Sequence, residues 1–216
     1  MMRIIKLYSN NNLFDPVEFK SGLNLILGER TPGDESAIGK KTNGVGKSLC
    51  IEFLNYALLK DFDKSRIKNI PDDILPKDST VLLDIDINGE EFCIERTLDS
   101  ESIIKINGQL FVNIDDAQKY LTSLLFKHQY PKVNTPSFRQ MLGPLMREEE
   151  SNFVDLIRCY KNQKIADIIP HLYLFNVNIS LYKDLDKTLS ELAKNAQVKS
   201  ALNTKITQDG KKKSAT

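Results

Sequence analysis

The sequence predicts an α/β protein with a strand–loop–helix unit near its start, an antiparallel β-meander in the middle and the beginning of a coiled coil at its end. Three observations carry this expectation. The stretch NGVGKS, Asn43 to Ser48, lies between an apolar run and a helical pattern. Two Asn-Gly pairs, Asn88-Gly89 and Asn107-Gly108, each separate segments of alternating polarity, as a tight hairpin requires. Finally, Tyr182, Leu185, Leu189, Leu192 and Ala196 recur at spacings of three and four, the seam of a coiled coil.

In chain order, RIIKLYS (Arg3–Ser9) is the first expected strand, followed by a polar NNN and a short PVEFKSG segment. LNLILG (Leu23–Gly28) is a continuous apolar run, which predicts a strand buried on both faces. Glu29–Thr42 is rich in Gly, Pro and charge and is expected to form a mobile loop. In KSLCIEFLNYALLK, residues Cys50, Ile51, Leu54, Ala57 and Leu58 fall on one helical face and predict its buried side.

From Ser79 the period changes to two. STVLLDIDINGEEFCIERTL and SIIKINGQLF predict two hairpins that together make the meander. Asn113 is placed to cap a helix over IDDAQKYLTSLLF, with acidic residues in its first turn. After KHQYPKVNTP comes SFRQMLGPLMREEESNF, and from Asp155 the chain is expected to be mainly helical. Lys199 breaks the seam, after which Val198, Leu202 and Ile206 continue at spacing four. These divisions place a first domain at 1–150, a helical segment entering the coiled-coil arm at 151–207 and a disordered tail at 208–216.

Composition excludes several classes. The 216 residues, 41% hydrophobic and 27% charged, are those of a globular chain rather than a disordered or fibrous one. A net charge of +1 argues neither for nor against nucleic acid. Cys50, Cys93 and Cys159 are odd in number and far apart, so they read as reduced thiols of a cytoplasmic protein with no secretory signal. His128 and His171 have no ligand-like spacing with them, which makes a zinc site improbable. No apolar run reaches the roughly 18 residues that a membrane span needs.

The chemistry concentrates in NGVGKS. A phosphate needs several backbone N–H groups converging on it, and a helix N-terminus adds partial positive charge. Gly44 and Gly46 let the backbone curl around an anion, Lys47 would reach the β- and γ-phosphates, and the Ser48 hydroxyl would ligate Mg²⁺. Lys41 stands where the G-x-x-x-x-G-K-[ST] pattern has its first glycine; that position eases entry to the loop, and the phosphate nest lies beyond it. Elsewhere REEES (Arg147–Ser151) reads as a solvated charge run. Lys211–Lys213 read as part of the tail. Tyr120, Phe126, Tyr130 and Phe138 lack the regular basic interleaving of a strand-stacking platform.

Taken together, GLNLILGE followed by NGVGKSLCIEFLNYAL resembles the N-terminal ATPase segment of the SMC/SbcC/RecN class of ABC ATPases. The likeness continues in order through a meander whose EFCIERTL strand ends at Arg96 and into the helical arm, covering residues 1–207. The resemblance implies the N-terminal lobe of a P-loop ABC-type ATPase. In it Asn43, Gly44, Val45, Gly46, Lys47, Ser48 and Leu49 bind ATP with Mg²⁺, and Gln140 of SFRQML is the candidate for the glutamine that contacts metal and water. An ordinary exposed helical glutamine is the alternative at that position. The implied partners are a C-terminal ATPase lobe in cis or trans, a second head as homodimer, and DNA moved by the coiled coil. The substantial insert at Glu29–Thr42 departs from most members and is similar to bacterial relatives, some of them in anti-phage defence systems, which adds accessory defence subunits to the implied partners.

Two parts of such an enzyme are missing from the pattern. VLLDID (Val81–Asp86) superficially matches the apolar strand that ends in Asp-Glu, but Asp84 and Asp86 alternate with Leu83, Ile85 and Ile87 as on a half-solvated strand. No Ser-Gly-Gly signature occurs. The expectation is therefore the N-terminal half of a split head. The competing readings are a P-loop GTPase or kinase, disfavoured by the meander and by the lack of Asn-Lys-x-Asp, and a non-catalytic nucleotide-binding interaction module.

Overall fold

A computed structural model of the chain describes residues 2–27, 47–71, 74–76, 78–99, 103–126, 135–146, 157 and 167–213. It divides into a first unit, Met1–Asp167, and a second, Ile168–Thr216. The first unit is built on a six-stranded sheet made of β1 (Met2–Ser9), β2 (Val17–Glu18), β3 (Thr80–Ile87), β4 (Glu90–Thr97), β5 (Ile104–Ile106) and β6 (Gln109–Phe111). Their spatial order is β2-β1-β3-β4-β5-β6, and every pairing is antiparallel.

Both Asn-Gly hairpins form as expected. Asn88 and Gly89 have φ of 56° and 88°, and Asn107 and Gly108 have 48° and 78°, the doubly left-handed turn whose twist suits a hairpin. The period of two then sorts β3 cleanly. Val81, Leu83, Ile85 and Ile87 are buried on one face, and Leu82, Asp84 and Asp86 lie half-buried on the other. Phe92, Ile94, Ile104 and Ile106 continue the buried face across the sheet, each apolar side chain worth about 1.5–3 kcal/mol.

Three helices complete this unit: α1 (Lys47–Ala57), α2 (Ile114–Leu125) and α3 (Phe138–Leu142). Asn113 caps α2, its Oδ1 accepting from the Asp115 N–H at 2.8 Å, and Asp115 and Asp116 occupy the first turn. Phe53, Tyr56 and Ala57 of α1, Ala117 and Leu121 of α2 and Phe138 of α3 all join the core under the sheet.

Two expectations fail here. Leu23–Leu27 form no strand, and Leu23, Leu25 and Leu27 are 95%, 75% and 65% exposed. The sheet ends at β2 and at β6, and these residues add to neither edge. Asn24 instead closes a local turn, accepting from Lys20 N–H and donating to Lys20 O, both at 2.8 Å. The second correction concerns α1. Ala57 and Leu58 are buried and Cys50 and Leu54 partly so, but Ile51 is exposed, and the helix turns Phe53 and Tyr56 inward in its place. Two aromatic rings bury more apolar area than one Ile, and they set the rotation of the helix.

The second unit contains α4 (Ile169–Leu174) and α5 (Ile179–Lys213). Asn176, at φ 56°, ends α4, with Val177 N–H donating to Leu172 O at 2.8 Å, and Asn178 Oδ1 caps α5 through Leu181 N–H at 3.1 Å. The seam residues Leu185, Leu189 and Leu192 are exposed along this one long helix. Its backbone stays helical through Lys213, beyond the point where disorder is expected. Extending an existing helix costs far less than starting one, and Gly210 costs only about 1 kcal/mol.

Candidate functional site

Helix α1 links the two ends of the candidate site. Asn43, Gly44, Val45 and Gly46 lie outside the described residues, as do Gly28, Lys41, the Glu29–Thr42 insert, Cys159, His128 and Arg147–Ser151. Lys47 opens α1, and Ser48 and Leu49 are exposed in its first turn. No acidic residue sits in that turn, so no carboxylate of the helix competes for the positive end of its dipole. Those features suit a phosphate with its metal ion: Ser48 would offer a hydroxyl to Mg²⁺, and the first-turn N–H groups would face the anion.

The middle of α1 carries a buried charge. Glu52 accepts from Lys60 Nζ at 3.0 and 3.3 Å, from Ser65 Oγ at 2.8 Å and from Arg66 N–H at 3.0 Å. Burial pushes its carboxyl up, but the hydrogen bonds from Arg66, Lys60 and Ser65 and the Lys60 charge outweigh it and hold the group below its ordinary value. This network pins the 3-10 turns at Phe62–Lys64 and Arg66–Asn69 against the helix.

The far end of α1 is fastened more tightly still. Leu59 N–H donates to Tyr56 O at 2.9 Å and Lys60 N–H to Asn55 O at 3.1 Å, the double closure that normally has glycine at its turning residue. Here that residue is Leu59, fully buried at φ 62°, a conformation that costs a bulky side chain about 1–2 kcal/mol. Side chains from three elements hold the carbonyls. Arg96 of β4 donates to Tyr56 O at 2.8 Å and to Lys60 O, with its guanidinium 3.7 Å from the Tyr56 ring centroid. Gln118 of α2 donates to Leu59 O at 3.2 Å. Arg139 of α3 donates to Asn55 Oδ1 at 3.1 Å, to Leu58 O at 3.2 Å and to Asn55 O at 3.4 Å. Burial brings the Arg96 guanidinium down to about 10, which leaves it charged at neutral pH.

Gln140 is engaged locally. Its side-chain oxygen accepts from Ser137 N–H at 2.9 Å while its own N–H donates to Ser137 Oγ at 3.3 Å, a reciprocal capping box that starts α3. The Ser-x-x-Gln spacing in SFRQ announces that box in the sequence. Asp84 and Asp86 sit on the sheet face opposite the core, Asp84 accepting from Tyr8 OH at 3.3 Å and Asp86 from Gly89 N–H at 3.2 Å. The sheet thus separates them from α1, which packs on the buried face with Phe53 and Tyr56. Cys50 and Cys93 are free thiols; burial pushes Cys93 up to about 12, so it is inert at neutral pH. Among the described residues no His, Cys, Asp and Glu cluster could hold a metal ion.

A helix opening at Lys47 and packed against an antiparallel sheet, with its far end held by arginines, makes a mixed α/β domain. The chain belongs to the AAA domain family, whose model matches residues 4–215, in its SMC/SbcC-like branch. It is also similar to the protein YydD of Bacillus subtilis (strain 168), named only as uncharacterized, with 24% identity over 192 residues. That match covers 79% of this chain and 30% of the relative, so the chain spans under a third of the relative's length. No solved structure matches. No helix among the described residues is long and apolar enough to cross a membrane.

Proposed function

We propose that this chain is the ATP-binding half of an SMC-like ABC ATPase head. The AAA domain match across residues 4–215 carries the proposal, with α1 opening directly after NGVG. Asn43, Gly44, Val45, Gly46, Lys47, Ser48 and Leu49 form the cradle for ATP, with Ser48 toward Mg²⁺ and Lys47 toward the β- and γ-phosphates. Bound Mg²⁺ and its water supply the hydrolytic chemistry; the chain's own part is to bind and orient the triphosphate. Gln140 is the candidate contact to metal and water, its side-chain oxygen also accepting from Ser137 N–H.

A C-terminal lobe, in cis or trans, supplies the missing carboxylate and signature. Exposed Leu25, Leu27, Leu49 and Ile51 support this partner, since they offer apolar surface for it to cover. ATP then draws a second head into a homodimer, and α5 extends as one strand of the coiled coil acting on DNA. Repair, chromosome maintenance and anti-phage defence with accessory subunits are the settings for such a head, in the cytoplasm.

The test is calorimetry with Mg²⁺ and ATP. Lys47→Ala removes charge-assisted contacts worth about 1.5–3 kcal/mol and should weaken binding about 10- to 150-fold. Equal affinity of wild type and variant would overturn the assignment.

A further inference from the structure

The three side chains that hold the end of α1 are not equivalent. Arg96 stands on a central strand of the sheet and Gln118 on the long α2, whereas Arg139 belongs to the five-residue α3 and directly precedes Gln140. Its partners are well buried: Asn55 is 1% exposed and Leu58 likewise, so neither can exchange Arg139 for water without moving. The guanidinium is a rigid fork, and it grips both atoms of Asn55 and the carbonyl of Leu58 together.

We propose that Arg139 is a positioning residue that couples the nucleotide end of α1 to α3, reading the axial placement of the helix at Asn55 and Leu58 and passing it to Gln140. The inference rests on the phosphate-site reading of Lys47 and Ser48. An α-helix is stiff along its axis, and the rise from Lys47 to Asn55 is only about 12 Å, so a displacement at one end arrives at the other. A shift of about 1 Å takes the 3.1 and 3.2 Å contacts past hydrogen-bonding range unless α3 follows. The capping box between Ser137 and Gln140 makes α3 follow as a unit. Coupling of this kind is reciprocal: whatever α3 gains from the bound state, the nucleotide gains in affinity.

The test uses the full chain, Mg²⁺ and a non-hydrolysable ATP analogue, with calorimetry for affinity and hydrogen exchange at Met141 and Gly143, whose amides bond to Ser137 and Gln140. In the wild type the analogue should change exchange at these amides at least about fivefold, the low end of typical couplings. Arg139→Met should weaken binding about fivefold or more and abolish that response. Arg139→Lys keeps the charge but not the fork, so it should fold and still lose most of the response, which keeps the test decisive if the Met variant is unstable. Wild-type affinity and an intact response in both variants, whatever their melting temperatures, would overturn the coupling while leaving the nucleotide site in place. A wild type that does not bind, or a Lys47→Ala variant that binds equally, overturns the site and the coupling with it.

Discussion

Replacing Glu52 with Gln tests how α1 is held, because it preserves size and one carbonyl oxygen while removing the charge that faces Lys60. The Lys60 side chain is 12% exposed and that of Glu52 7%, so the pair is largely out of water. The bonds from Ser65 Oγ and Arg66 N–H survive in the variant as neutral ones, losing about 1 kcal/mol between them. Losing the charge opposite Lys60 costs about 2 kcal/mol, below the range for a sealed pair because the Lys60 side chain keeps some exposure. The expected loss is thus about 3 kcal/mol, or about 6–12 °C in melting temperature for a unit of this size. Urea unfolding at neutral pH should show a lower midpoint with an unchanged slope. Adding Lys60→Met should recover part of the loss, and the double-mutant cycle isolates the pair. The pH dependence has a definite sign. The folded carboxyl lies below its ordinary value of 4.5, so the unfolded chain binds more protons in between. Its contribution is complete above that value and disappears as pH falls through the folded one; the Gln variant should lack this acid limb. A Glu52→Gln protein within about 0.5 kcal/mol of wild type, with the same acid limb, would refute the assigned role.

Arg96→Met should cost about 3–5 kcal/mol by thermal melting, since it leaves the Tyr56 and Lys60 carbonyls without their buried cation, and Arg96→Lys should not restore it because an ammonium cannot span both. Lys41→Gly should leave nucleotide affinity within a few-fold by calorimetry, because the nest is formed by residues after it; a loss as large as that of Lys47→Ala would make Lys41 a phosphate ligand. Phosphate release by this chain alone should be negligible, and an Asp84→Asn/Asp86→Asn variant should behave identically. Robust hydrolysis that disappears in that variant would show that VLLDID supplies the catalytic carboxylate after all.

Much of the sheet was legible because its signals are local. The Asn88-Gly89 and Asn107-Gly108 turns each need two left-handed residues, and Asn and Gly tolerate that conformation best. The alternation in β3 likewise settles which side of the strand carries Asp84. At the start of α1 the sequence offers NGVGKS, a pattern whose residue types suit phosphate chemistry. The fastening at the other end joins Asn55 to Arg139 across 84 residues and Tyr56 to Arg96 across 40, and no short pattern reports a pairing over such separations. Leu59 gives the opposite lesson: its place at φ 62° runs against preference, and only the surrounding contacts make it tolerable.

The misread apolar segments share a physical cause. Hydrophobic periodicity records what a segment is suited to bury, and burial itself depends on the surface available to meet it. LNLIL has the composition of an inner strand, yet it adds to neither edge of the sheet, β2 or β6. In α1, Leu49 stands in line with Phe53 and Tyr56, four and seven residues on, while Ile51 points away from them, and both Leu49 and Ile51 are exposed. The sheet covers one side of the helix, and Arg96, Gln118 and Arg139 hold its far end, so its rotation is set before anything meets the other side. That order of construction suits a helix whose first turn would present Ser48 to a ligand. The rigid end is satisfied internally, and the open apolar flank lies beside the turn where the ligand would bind.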